Sequence, residues 1–260
     1  MIGIFWAFLG TCFTFSITAL GAFNVFFMKK KMNTNFQSLC LGFAGGVMIA
    51  ASIWSLLIPA IESAEENGQI GWAAPTGGFL TGVLLLFILD EMIKKRMKKS
   101  LCILNLDKGT GMLLLAITIH NIPEGMAVGL GFALAAQNPE NPAYLTGAIA
   151  LAIGIGIQNY PEGTAVALPL YQAGMKKGKA FLAGSMSAIV EPIFGVLAAM
   201  VSGAIRLYMP CFLSFAAGAM IYVVIEELIP EAHAEGKEKT GTLGFVAGFV
   251  IMMILDVALA

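Results

Sequence analysis

The chain has 260 residues, 58% of them hydrophobic and only 12% charged, with a formal net charge of −1 and a mean hydropathy of +0.84. Soluble domains carry roughly 25% charged residues, so a water-soluble enzyme is excluded and no nucleic-acid partner is expected. Apolar runs of about 20 residues recur without alternation, the length of a helix crossing a ~30 Å hydrocarbon core rather than the ~10-residue alternating pattern of a membrane β-barrel.

In chain order, eight apolar spans are predicted at about 3–28, 36–61, 73–93, 111–135, 144–171, 179–204, 208–230 and 241–259. The fold expected is an all-α polytopic membrane protein embedded in the lipid bilayer. The first span lacks the basic leader of a signal peptide and is longer than its apolar core, so it is expected to stay as a helix. Lys29, Lys30 and Lys31 follow the first span; Lys94, Lys95, Arg96, Lys98, Lys99 and Lys108 follow the third. Lys176, Lys177 and Lys179 follow the fifth, and Lys237 and Lys239 the seventh. Fourteen of the fifteen basic residues thus share one side, with only Arg206 opposite. Basic loops stay cytoplasmic, which predicts a multi-pass protein of the cell membrane with both termini extracytoplasmic. The outer loops carry Glu62, Glu65, Glu66 and Glu140, which read equally as a cation-collecting mouth or as solvated surface. Cys12, Cys40, Cys102 and Cys211 are widely spaced and form no Cys-x-x-Cys, so they read as small apolar filler.

The spans repeat. Ile119-His120-Asn121-Ile122-Pro123-Glu124-Gly125 in the fourth answers Ile157-Gln158-Asn159-Tyr160-Pro161-Glu162-Gly163 in the fifth. Consecutive spans are antiparallel, so the pair is inverted. Leu57-Ile58-Pro59 in the second answers Leu228-Ile229-Pro230 in the seventh. Gly78-Phe79-x-x-Gly82 with Asp90 in the third answers Gly244-Phe245-x-x-Gly248 with Asp256 in the eighth. The first and sixth share only Ala-Phe-Leu, at Ala7 and Ala180. The expected organisation is one transmembrane domain in a 3+2+3 inverted-repeat arrangement, with a first repeat over 1–93, a central helix pair over 111–171 and a second repeat over 179–260. Such inverted repeats are characteristic of secondary transporters, which bind substrate near the bilayer midplane on discontinuous helices.

Carboxylates and imidazoles are costly at bilayer depth and mark candidate functional sites there. Residues three or four apart share a helix face, so His120 and Asn121 line up with Glu124, and Gln158 and Asn159 with Glu162. A twofold axis would set the two glutamates opposite each other. Pro123 and Pro161 cannot donate to the carbonyls of Ile119 and Ile157, which predicts a free backbone oxygen and a kink in each helix. No lysine or arginine lies deep within a span to pair with the glutamates. Imidazole, carboxylate and amide donors without thiolates suit zinc, cadmium, iron(II), manganese or cobalt. Glu191, beside Pro192 in mid-span, reads as a further ligand. Met48 reads as core packing by position alone, and Gly42, Gly45 and Gly46 as close-approach residues. His233 with Glu226, Glu227, Glu231 and Glu235 reads equally as an inner exit cluster or a solvated face.

The paired motif resembles the fourth and fifth helices of ZIP (Zrt-, Irt-like) divalent metal transporters, most closely the GufA-like branch, and the resemblance covers essentially the whole chain. It implies uptake of zinc or a similar divalent metal toward the cytoplasm through a binuclear centre, with metal as cargo and no cofactor. By that resemblance one metal is held by His120, Glu124, Gln158 and Glu162 with Met48 as a fifth ligand, and the other by Asn121, Glu124, Asn159, Glu162 and Glu191. Some relatives carry aspartate at the place of Asn159, and many carry a histidine-rich loop after the third helix that is replaced here by a short basic one. Two rival readings are a metal-selective channel and a membrane metalloenzyme. The Glu-x-x-His of carboxylate-bridged oxidases and the His-Glu-x-x-His of zinc proteases are both missing from the central helices. A homodimer is left open.

Overall fold

The computed structural model describes residues 1–27, 34–100, 108–204, 206–234 and 238–259, with side chains at 93–100, 108–117, 203–204, 206 and 259 left undescribed. Lys29, Lys30, Lys31, Cys102, Glu235 and Lys237 lie outside the described residues. Among the described residues the chain is helical throughout, as a bilayer demands when every backbone polar group must be satisfied within its own segment. We number the long helices α1 (Ile2–Phe26), α2 (Thr34–Glu66), α3 (Ala73–Ser100), α4 (Lys108–Gln137), α5 (Pro142–Gln172), α6 (Lys177–Ser202), α7 (Met209–Ala232) and α8 (Glu238–Leu259).

Among the described residues, six of these (α1, α2, α3, α6, α7 and α8) are long and apolar enough to cross a membrane by length and composition. The polar hexapeptides lie on α4 and α5. The α5 helix is lined by neighbours instead of lipid, being buried at most positions from Ala148 to Leu170. Its start is fixed by Asn141, whose side chain accepts from the amide of Ala143 at 3.1 Å, with Pro142 in the first turn. Asn141→Ala is expected to lower stability by about 1 kcal/mol, read as a fall in the thermal midpoint in detergent.

Packing falls into two bundles. The first joins α1, α4, α5 and α6; the second joins α2, α3, α7 and α8. Each main pairing has a counterpart when α1 is exchanged with α6, α2 with α7, α3 with α8 and α4 with α5. Thus α1 packs on α5 as α6 packs on α4, and α2 on α8 as α7 on α3. Between the bundles, α2 meets α5 as α7 meets α4. Glycines make the closest approaches. A Cβ on Gly42 or Gly46 would strike the carbonyls of Gly241 or Phe245 on α8, and one on Gly82 the carbonyl of Phe215 on α7. Gly45 has room for an ordinary contact.

The spans differ from expectation in their breaks. Pro123 and Pro161 sit inside continuous helices, so no break falls at the hexapeptides. Interruptions occur at other prolines. A π-helical segment, Ser52–Leu57, precedes Pro59, and its counterpart, Val224–Leu228, precedes Pro230. A proline ring clashes with the carbonyl four residues back, and one inserted residue relieves that clash. The sixth span also breaks: a 3-10 turn at Ser187–Ile189 separates Lys177–Met186 from Val190–Ala204. Finally, α3 continues to Ser100 rather than ending at 93, because its basic run consists of good helix formers that suit a helix C-terminus.

Candidate functional site

The six polar residues of the hexapeptides come together in the first bundle, and all are buried: His120, Asn121 and Glu124 on α4, Gln158, Asn159 and Glu162 on α5. Gln158 Nε2 donates to Glu124 Oε1 at 2.6 Å, tying the two copies directly. Glu191, on α6, is fully buried as well. It lies in the first turn of Val190–Ala204, where the helix dipole favours a negative charge. Asn159 Nδ2 donates to Glu191 Oε1 at 2.9 Å, and Thr14 on α1 donates to Glu191 Oε2. Glu124 lies within electrostatic reach of both Glu162 and Glu191, so the three carboxylates form one cluster.

The hexapeptide glycines set this geometry. A Cβ on Gly125 would overlap the backbone of Glu191, and one on Gly163 the backbone at Thr18 and Ala22. Glu191 and Thr18 are therefore counterparts, 173 residues apart (191 − 18), which is the spacing of the weak Ala-Phe-Leu match (180 − 7). The asymmetry is chemical: α6 presents a carboxylate where α1 presents a threonine.

Much of the cluster's hydrogen-bonding capacity is unused. Among the described residues, Asn121 Oδ1 and Nδ2, Glu124 Oε2, Gln158 Oε1, Asn159 Oδ1 and Glu162 Oε1 are buried without a protein partner. Buried polar groups left unpaired are expensive, and five of these six atoms are oxygens. His120 Nε2 lies 2.9 Å from Glu227 Oε2 on α7 without the alignment of a hydrogen bond. Of the acidic residues near His233 in sequence, Glu227 meets His120. His233 instead meets Thr242 on α8, Nε2 to Oγ1 at 3.2 Å, while Glu227 is turned toward the site by the π segment of α7. Met48 is buried on α2, in the same large core cluster as Val128 and Ile155. No three His, Cys, Asp or Glu side chains converge closely enough to hold a metal between them among the described residues; the amides separate the carboxylates.

Two cavities flank the cluster. One, of about 310 Å³, lies at the α4–α5 turn, lined mostly by apolar and small residues such as Trp54, Leu134 and Leu151, with Glu62 and Asp256 among its few polar groups. Ser55 Oγ donates to Asp256 Oδ1 at 2.5 Å, and Asp256 Oδ2 is buried without a partner. The other, of about 430 Å³, is lined by apolar residues, including Leu86 and Leu89 of α3 and Ile122, Pro123 and Met126 of α4. Elsewhere α5 and α8 meet closely, with the Met252 side chain against Gly154.

A bundle of membrane-length helices enclosing an oxygen-rich, incompletely paired cluster defines a polytopic transport protein. A family model described as ZIP zinc transporter matches residues 97–256. Zinc transporter ZIP11 of Xenopus tropicalis is 36% identical, over 96% of each chain. Zinc transporter GufA of Myxococcus xanthus is 35% identical over 93% of this chain and 94% of its own. Zinc transporter ZIPB of Bordetella bronchiseptica is 37% identical over 98% and 81% respectively. The chain belongs to the ZIP family, in its GufA-like branch. It is thus a multi-pass membrane transporter and not an enzyme, and in this family metal is cargo rather than a resident cofactor.

Proposed function

We propose that the chain carries zinc, or a similar divalent transition metal, toward the cytoplasm through a two-metal site on α4 and α5, by alternating access. The observation that carries this reading is the set of unpartnered buried oxygens on Asn121, Glu124, Gln158, Asn159 and Glu162. A divalent cation satisfies several such atoms at once, and no described lysine or arginine is buried beside them to do so. One metal would take His120, Glu124, Gln158 and Glu162, with Met48 approaching from α2. The other would take Asn121, Glu124, Asn159, Glu162 and Glu191. Ligand binding would draw the carboxylates together past the Gln158 and Asn159 amides. Oxygen-rich coordination without thiolates keeps affinity moderate, so the metal can leave.

Two further features fit a carrier. The cavity that holds Glu62 and Asp256 offers an outer mouth under the charge-based orientation, while Glu227 beside His120 marks an inner exit. The interfaces of the two bundles also differ: α5 meets α8 closely at Gly154 and Met252, whereas an apolar cavity is lined by α3 and α4. Exchanging those two arrangements would slide one bundle against the other and move access from one membrane face to the other. The full burial of Asn121, Glu124, Gln158 and Asn159 favours this over an open channel. The test is uptake of radiolabelled zinc by purified protein in proteoliposomes. Saturable uptake with competition among zinc, cadmium, iron(II), manganese and cobalt is expected; flux that rises linearly with metal, or none, overturns the proposal.

A further inference from the structure

Thr14 lies in an apolar helix and belongs to neither hexapeptide. It is fully buried, and its hydroxyl donates to Glu191 Oε2 while its own carbonyl lies 3.4 Å from Asn159 Nδ2. Asn159 Nδ2 meanwhile holds Glu191 Oε1 at 2.9 Å. The two carboxylate oxygens are therefore held differently: Oε2 by a threonine on α1, and Oε1 by a side chain that is itself a candidate ligand.

We propose that Thr14 is the positioning residue for Glu191, fixing Oε2 so that Oε1 faces the second metal position. This rests on the transport reading above. While no metal is present, the Asn159 amide stands in for the cation at Oε1. When metal arrives, a half-turn of that amide about its terminal bond brings the unpartnered Oδ1 to the metal beside Oε1. The same half-turn carries Nδ2 to the place Oδ1 leaves, away from both Glu191 Oε1 and the Thr14 carbonyl. Aspartate at position 159 could not donate to Glu191, so this exchange depends on the asparagine of this chain. Thr14 holds Oε2 through its single hydroxyl proton, for which the Thr11 carbonyl 3.0 Å away on α1 is the alternative acceptor if Glu191 moves away.

The experiment is the zinc dependence of uptake in proteoliposomes, with Thr14→Val removing the hydroxyl at nearly constant shape and Thr14→Ser keeping it. Hydrogen-bonding partners behind a metal ligand are worth roughly 10–100-fold in metal affinity. Thr14→Val should therefore raise the half-saturating zinc concentration by about that factor, with the maximal rate within about threefold of wild type, the pattern of lost ground-state binding. Thr14→Ser should restore half-saturation to within about threefold. In a Glu191→Ala background Thr14→Val should have no further effect, because the group it positions is gone. Half-saturation unchanged in Thr14→Val, a serine variant as impaired as the valine one, or additive effects in the double variant would each overturn the proposal. If Thr14→Val cannot be purified, Thr14→Cys makes the comparison with a weaker donor: an intermediate half-saturation supports the proposal, and wild-type behaviour overturns it. A wild-type protein with no saturable uptake removes the transport reading itself, whereas saturable wild-type uptake with an indifferent Thr14 removes only this inference.

Discussion

Glu124→Ala and Glu162→Ala should each reduce zinc uptake by about 100-fold or more, with the protein still monodisperse in detergent. Partners that only orient a metal ligand are worth roughly 10–100-fold, and a carboxylate proposed to touch both metals should exceed that range. Both glutamates are buried, so neither loss is compensated by water. The two variants differ in what they leave behind. Without Glu124, the Gln158 amide loses its acceptor at 2.6 Å, and the link between α4 and α5 is cut as well. Without Glu162, the Gln158–Glu124 bond survives. Glu124→Ala should therefore also lower the thermal midpoint, by the ~1–3 kcal/mol of a buried donor left unsatisfied, while Glu162→Ala should leave it nearer wild type. Uptake at wild-type rates by either variant would remove the central carboxylates from the transport path.

The helices were legible because apolar length is a strong signal, and the central pair because its hexapeptide is repeated almost residue for residue. The Gln158–Glu124 bond is the physical consequence of that repeat. Three parts of the site were hidden for separate reasons. Thr14 sits in Thr11-Cys12-Phe13-Thr14-Phe15-Ser16, where hydroxyls bond back to their own helix; Thr11 and Ser16 do so, to the carbonyls of Ala7 and Cys12. Nothing local tells such a threonine from one that reaches across to another helix. Glu227 lies in an acidic run that looks like a solvated helix end, and only the π segment turns it toward His120. The signal for that segment is present in Leu57-Ile58-Pro59 and Leu228-Ile229-Pro230, where the repeat sets prolines at matched positions behind each π segment. The hexapeptide prolines proved harmless to continuity: Pro123 and Pro161 lie where neighbouring helices enclose the backbone, a setting in which a missing hydrogen bond is tolerated. The 3-10 turn at Ser187–Ile189 spans Ala188, whose carbonyl lies four residues before Pro192, where a proline ring clashes.

Gly125→Ala combined with Gly129→Ala should separate α4 from α6 and abolish high-affinity uptake without touching a candidate ligand. A Cβ at Gly125 would fall on the backbone of Glu191, and one at Gly129 on the backbone of Gly195. These obstacles are main chain, not flexible side-chain ends, so relief requires α6 to move. Overpacking of this kind costs typically ~1–3 kcal/mol per site, and in a membrane the close approach of small residues is a principal source of helix association. The same displacement carries Glu191 away from Asn159 and Thr14, so the half-saturating zinc concentration should rise together with the loss of thermal stability. Gly77→Ala is the matched control, because a Cβ there meets nothing within 4 Å and should change stability by no more than about 0.5 kcal/mol. Thermal unfolding in detergent and uptake in proteoliposomes read the two effects separately. A double variant as stable as wild type would show that α4 and α6 do not approach through these glycines. A destabilised variant with unchanged half-saturation would show that Glu191 lies outside the metal path.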